Sequence, residues 1–446
     1  MSITKLSAGA LALIFLSVSS IAQSSDPYPA GIKWANYLTW EQIQQKALQD
    51  NKYIFVDCYS TWCGPCKWMD QKVYPNDTVG DFLNSNFISV RVQLDTTKRD
   101  NEEIKSWYKT AATLSKKYSI VAMPTFLFFS PQGELLHKAI GSLNVAQFVY
   151  LAKEALDSSK QYYPLLKKYR SGIFTYKDMP ELARTSKRLN DDNTAYDIAA
   201  RYIHGYLDQL TEDSFISKGN LKFILDFRNI LNSGDRVFSF CLNKPQKIDV
   251  ATYRGASQRL ADYIITKEEV QPIVEAAKSE NAIPNWQNIY SNINSKYGAE
   301  YAYRDVLYAK PGFYKHKKDW NNYTNFLIEL VQQVDMKKVS GPTGANYLND
   351  QAWEIFLHTD KNKELEKALS WCDLSLKLMG SKDSVSIAGI MDTKANLLYK
   401  LGRTKEALIL ERKATSMDSK NKDIQEAFFK MKEGKATWTG WENYDL

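Results

Sequence analysis

The chain has 446 residues, 44% hydrophobic and 24% charged, which allows two or three domains with their own cores and excludes wholesale disorder. Its formal charge of +7 becomes about +6 (7 minus 1) without Lys5 of the leader described next, a mild excess that gives no reason to expect a nucleic-acid partner. Five cysteines, Cys58, Cys63, Cys66, Cys241 and Cys372, are too few and too scattered for a disulfide framework.

Lys5 precedes the apolar run Leu6 to Val18, and Ser20, Ile21 and Ala22 place small residues where a signal peptidase reads. The expectation is a signal peptide over residues 1–22, cleaved after Ala22, and a mature protein that is periplasmic or secreted. The competing membrane anchor falls short of the roughly 20 apolar residues a spanning helix needs.

Thr39 with Gln42 forms a capping-box pattern that opens a helix to about Asp50. Tyr53 to Cys58 reads as a buried strand, a Cys-Gly-Pro-Cys turn follows, and Trp68 to Val73 suits a helix that resumes near Asp77. Phe87 to Leu94 is a second strand, Asn101 to Lys117 a helix, and Thr125 to Phe129 and Glu134 to Ala139 two strands joined by the turn Pro131-Gln132-Gly133. Asn144 with Gln147 caps a helix to about Ser158. That order predicts an α/β sandwich with a mixed sheet.

Beyond residue 160 helical periodicity takes over. Ala199, Tyr202, Ile203, Tyr206, Leu207 and Leu210 fall on one stripe, as do Leu365, Ala368, Leu369, Cys372 and Leu376. Breaks are expected at Asn232 to Asp235, Asn243 to Pro245 and Ser340 to Gly344. Near the C-terminus, Ala395, Gly402, Ala407 and Ala414 stand 7, 5 and 7 apart across a helix-turn-helix, and Ala352, Ala368 and Ser375 suggest a second copy. This pattern resembles a tetratricopeptide repeat over about 347–417. It departs from that pattern at Glu411, where the family carries an aromatic, and at Ser419, where it carries Pro.

The chemistry concentrates in Trp62-Cys63-Gly64-Pro65-Cys66-Lys67, between a strand and a helix. Two thiols separated by two residues at a helix N-terminus close into a disulfide and reopen. Cys63, nearest the positive end of the helix dipole, is the expected nucleophile, and Cys66, the more buried, the resolving thiol. A zinc site needs a second ligand pair, and His137, His204, His316 and His358 show no ligand spacing. Covalent haem attachment needs His where Lys67 stands. A purely structural disulfide closing so short a loop contributes little. No metal and no cofactor are expected.

The segment resembles the thioredoxin superfamily over about 33–158. Asp57, six residues before Cys63, stands where that family carries a buried acid that takes the resolving thiol's proton; Met123-Pro124-Thr125 matches its cis-proline loop, and Gly141 the glycine closing its last hairpin. The resemblance implies that Met123 and Pro124, with Trp62, Gly64 and Pro65, contact substrate. Burial is expected to raise the Asp57 pKa and suit it to proton transfer, and Cys58 beside it reads as a small core hydrophobe. Val73 to Asp77 and the insertion from Thr96 to about Lys116 look closest to the C-terminal thioredoxin-like domain of periplasmic thiol:disulfide interchange proteins.

The fold class is therefore a thioredoxin-like α/β sandwich followed by an all-α helical-repeat domain: 23–159 thioredoxin-like, 160–345 helical, and 346–446 repeats and tail. The expected function is an exported thiol-disulfide oxidoreductase that reduces or isomerises protein disulfides, fed by a membrane electron donor. An interaction module with a secondary thioredoxin fold is the alternative, and a disulfide oxidase a third reading that Gly64-Pro65 disfavours.

Overall fold

The structure, a computed structural model, describes residues 31–333, 340–380 and 383–438; the expected signal peptide lies outside them. The chain forms two compact units that divide between Gln209 and Leu210.

The first unit opens with α1 (Trp40–Asp50), whose capping box is formed as expected: the Thr39 hydroxyl accepts from the Gln42 N–H and the Gln42 side chain accepts from the Thr39 N–H. Then come β1 (Tyr53–Tyr59), α2 (Gly64–Lys72), α3 (Asp77–Asn86) and β2 (Phe87–Gln93). The single helix expected over 101–117 is two, α4 (Glu102–Ser106) and α5 (Tyr108–Lys117). Trp107 breaks it by turning inward, where its indole N–H donates to the Asn36 carbonyl at 3.1 Å. β3 (Thr125–Phe129), β4 (Leu135–Ile140) and α6 (Val145–Leu156) complete the sandwich.

The sheet order is β2-β1-β3-β4, with β1 and β2 parallel and the other pairs antiparallel. Both faces of β1 are covered, so its run reads apolar almost throughout. Ile54, Val56 and Cys58 face one core layer with Ile43 and Ala47 of α1 and Ala111 and Leu114 of α5. Phe55 faces the other layer with Met69 of α2, Leu83 of α3 and Phe148 of α6. Alternation along the strand puts Asp57 on the Phe55 side, beneath α2.

The expected boundary at 159–160 falls inside this unit. α7 (Tyr162–Arg170) packs on β4, the Tyr162 N–H donates to His137 Nδ1 at 3.2 Å, and the Gln161 side chain donates to the Ala155 carbonyl at 2.9 Å. α8 (Met179–Arg188) and α9 (Asp192–Gly205) pair beyond it. The stripe expected from Ala199 to Leu210 is cut: Ala199, Tyr202 and Ile203 are buried on α9, but the helix stops at Gly205 and Leu207 enters a 3-10 turn.

In the second unit every regular element is helical among the described residues. A break occurs at 232–235 as expected and the one expected at 243–245 is the single residue Lys244, whereas Gly341 to Gly344 belong to the first turn of the helix Gly341–His358. That helix pairs with Asn362–Met379, and Ser384–Lys400 pairs with Thr404–Met417, giving two helical hairpins of the tetratricopeptide kind. Ala352, Ala368, Ser375, Ala395, Ala407 and Ala414 are fully buried at the crossings, where small side chains let helices approach. The Ser375 hydroxyl donates to the Ala345 carbonyl at 2.7 Å, which ties one hairpin across its seam.

Candidate functional site

β1 ends at Tyr59, and the chain turns through Ser60 to bring Cys63 to the start of α2, with the Cys63 N–H donating to the Ser60 carbonyl at 3.1 Å. α2 begins at Gly64, four residues before the expected start at Trp68, because Cys63 itself caps it. The Cys63 sulfur accepts from the Cys66 N–H at 3.1 Å, and Pro65 in the first turn carries a φ already suited to a helix. The sulfur of Cys63 therefore sits against unsatisfied N–H groups at the positive end of a helix, the environment that favours a thiolate.

Cys63 and Cys66 are joined in a disulfide. The expected difference in burial is absent from this oxidised pair, which is 3% exposed at Cys63 and 2% at Cys66. What separates the two sulfurs is the N–H bond to Cys63. Gly64, Pro65 and Lys67 are exposed, as is Trp62, whose ring is 69% accessible and so does not pack into the core. Trp68 and Val121 add exposed apolar surface.

The Met123–Pro124 peptide bond is cis, with Pro124 buried and Met123 half-buried. The loop reaches the cysteine turn through Ser60, whose hydroxyl contacts the Met123 sulfur at 2.6 Å, and Gly141 closes the hairpin by donating to the Pro124 carbonyl at 2.9 Å.

Asp57 is 1% exposed, and burial pushes its carboxyl up to about 6 against the pull of Arg91. Arg91 Nε donates to Asp57 Oδ2 at 3.2 Å, and Arg91 Nη2 stands 2.9 Å from Asp70 Oδ1. The guanidinium also lies over the Tyr59 ring at 4.1 Å and within 5.8 Å of Tyr74. The Tyr74 hydroxyl is close enough to Asp57 to bias its titration, yet outside hydrogen-bonding geometry, so Asp57 Oδ1 and Tyr74 Oη both lack a partner. A carboxyl held near neutrality with one free oxygen is equipped to accept a proton.

Arg91, Asp70 and Tyr74 were missing from the sequence-derived site. A signal existed for Arg91: it is the one charge in Phe87–Gln93 and pairs in register with Asp57, the one charge in Tyr53–Tyr59. Cys58 points into the opposite core layer, and burial pushes its thiol up, as it does for Cys241 and Cys372, each to about 12. Among the described residues no group of three or more His, Cys, Asp or Glu is placed to hold a metal, and no helix is long and apolar enough to cross a membrane.

Residues 40–156 match a family model described as a thioredoxin-like domain. Thioredoxin Y1, chloroplastic, of Arabidopsis thaliana is 27% identical over 118 residues, which are 26% of this chain and 58% of that protein. The thiol:disulfide interchange protein DsbD of Pseudoalteromonas atlantica is 30% identical over 146 residues, 32% of this chain and 23% of that protein. The chain thus spans less than two thirds of either relative. A tetratricopeptide repeat protein from Parabacteroides merdae superposes with a TM-score of 0.22 at 9% identity, over 64% of this chain and 95% of that one. A superposition that loose adds nothing to what the helix pairing shows.

Proposed function

We propose that this chain, whose residues 40–156 form a thioredoxin-like domain, is an exported thiol-disulfide oxidoreductase acting on the disulfides of other proteins, with its helical half holding those clients. The observation that carries the reading is the Cys63–Cys66 pair at the N-terminus of α2, with Cys63 as the cap.

In the reduced pair the Cys63 thiolate attacks one sulfur of a client disulfide, expels the other as a thiolate, and forms a mixed disulfide. Cys66 then gives up its proton and attacks the Cys63 sulfur. That step releases the second client thiolate and closes the Cys63–Cys66 bond, so two electrons have passed to the client. Asp57 is the proposed acceptor of the Cys66 proton, since it is largely ionised at neutral pH. Arg91 positions it. Trp62, Gly64, Pro65, Met123 and Pro124 supply the surface a client strand meets. Returning electrons to the closed pair in an oxidising compartment calls for a membrane electron donor. Periplasmic or secreted placement rests on the leader alone.

The test is to equilibrate the full chain in glutathione buffers and measure the fraction of Cys63–Cys66 oxidised. A midpoint toward the thioredoxin value of about -270 mV supports a reductase, and one near about -120 mV an oxidase. A pair that fails to reopen reversibly anywhere in that span is a structural bond, and the assignment falls.

A further inference from the structure

The second unit buries a carboxyl that its repeat does not explain. Glu411, on the helix Thr404–Met417, is fully buried, and neither of its oxygens has a hydrogen-bond donor. Its side chain meets Asp392 of the helix Ser384–Lys400, and burial followed by that neighbour pushes the Glu411 carboxyl well above the usual carboxylate range. Two carboxyls in contact, one of them fully buried, tend to hold a proton between them.

Asp392 lines a cavity of about 390 Å³, within the range of small-ligand sites. Thr437, which also lines it, has a buried hydroxyl that lacks a partner. Around the mouth, Glu426 is neutralised by Lys430 at 2.7 Å, whereas Asp423 has no ion-pair partner among the described residues. Trp353 supplies an aromatic face. The cavity therefore carries net negative charge, buried acceptors and a ring, and it offers one cation, already paired.

We propose that this cavity receives a cationic side chain, preferentially the guanidinium of an arginine, presented by an extended segment of a partner protein. A planar fork of donors reaches the carboxylates that line the cavity, Asp392 and Asp423, and stacks on an indole, which an ammonium does less completely. The inference rests on the proposed client-holding role of the helical half and gives that role a chemistry.

The test is calorimetric titration of the full chain with an unstructured peptide bearing one central arginine, with the same peptide bearing glutamine there, and with agmatine as a free guanidine. The arginine peptide is expected to bind at least tenfold more tightly than either control. Asp392→Asn should weaken that binding about tenfold, and Asp423→Asn, at an exposed position, about threefold. Equal binding of the two peptides overturns the proposal, as does binding untouched by Asp423→Asn. Agmatine matching the arginine peptide overturns the assignment to a protein segment. If no cation binds while loss of the helical half still weakens client capture, this inference alone fails.

Discussion

Each unit buries a carboxyl, burial raises both, and the nearest charged neighbour of each acts in the opposite sense. Asp57 in the thioredoxin-like unit faces Arg91, which pulls against burial and leaves it near about 6, ready to ionise at neutral pH. Glu411 in the helical unit meets Asp392, which adds to burial and pushes it well above the usual carboxylate range. Burial alone does not decide what a buried acid does; the sign of its nearest neighbour does. The architectures explain why the neighbours differ. A sheet sets strands distant in sequence side by side, so Asp57 meets Arg91 across the ladder, whereas stacked hairpins bring together mostly adjacent helices.

The largest effect that tests this contrast is on the cysteines. Cys66→Ser should accumulate mixed disulfides with clients, because Cys63 still attacks but nothing resolves the product, and Cys63→Ser should accumulate none. Non-reducing electrophoresis after acid trapping reads the difference. Trapping by both variants to the same extent would remove the assigned order of attack.

Next comes Asp57→Asn, which should slow resolution of the mixed disulfide on the order of 10²-fold while leaving its formation nearly unchanged. The same variant has a stability signature. The unfolded carboxyl titrates near about 3.9 and the folded one near about 6, so the folded state favours the neutral form. The stability this contributes is complete below about 3.9 and is lost as pH rises through about 6. Asp57→Asn lacks that dependence. It should therefore gain on the parent across that window, by roughly 3 kcal/mol at pH 7.5, in urea unfolding. A parent and variant whose stabilities run parallel from pH 4 to 8, roughly the span in which this group titrates, would show that Asp57 is not the perturbed acid.

The sequence carries this site unevenly. Cys63, Cys66 and Asp57 are legible because each is a chemically distinctive residue set in a local strand-turn-helix pattern. Arg91, Asp70 and Tyr74 join them only through tertiary packing, which no local period records. The strands were legible to within a residue or so, since both faces of the sheet are covered and the apolar runs have sharp ends. The start of α2 was not, because its cap is a cysteine rather than the Ser, Thr, Asp or Asn that usually marks a helix start. The extent of the first unit was hidden for a related reason. α7 looks like any amphipathic helix, and only His137, buried on β4 and accepting from the Tyr162 N–H, shows what it covers.

That last contact predicts a smaller effect. Residues 23–159 end before α7 and uncover His137 and the surface that receives Tyr162 and Leu166, both buried in the full unit. A chain ending at Gln209 keeps them. The shorter fragment should be less stable by at least about 2 kcal/mol in urea, since burying one large apolar side chain is worth about that much. Both fragments should reduce small disulfides alike if the thiol chemistry is local. Equal stability would mean that α7 merely rests on the sheet.

The smallest effect sets two glycines against each other. Gly402 follows the helix Ser384–Lys400 with φ of +79°, donating its N–H to the Tyr399 carbonyl at 3.0 Å while Arg403 donates to Leu398 at 2.9 Å. This paired closure needs a left-handed residue, and a side chain there strains the backbone although the space around it is open. Gly402→Ala should cost roughly 1 kcal/mol. Repeats share stability with their neighbours, so hydrogen exchange should quicken in both Ser384–Lys400 and Thr404–Met417. Gly64, between the cysteines, has an ordinary helical conformation and equally open space. Gly64→Ala should therefore leave the first unit unchanged or firmer by about 0.5 kcal/mol, because it removes freedom only from the unfolded chain. Loss of protection in β1 on Gly64→Ala, or none in the hairpin on Gly402→Ala, would show that the two turns are not held by the backbone demands assigned to them.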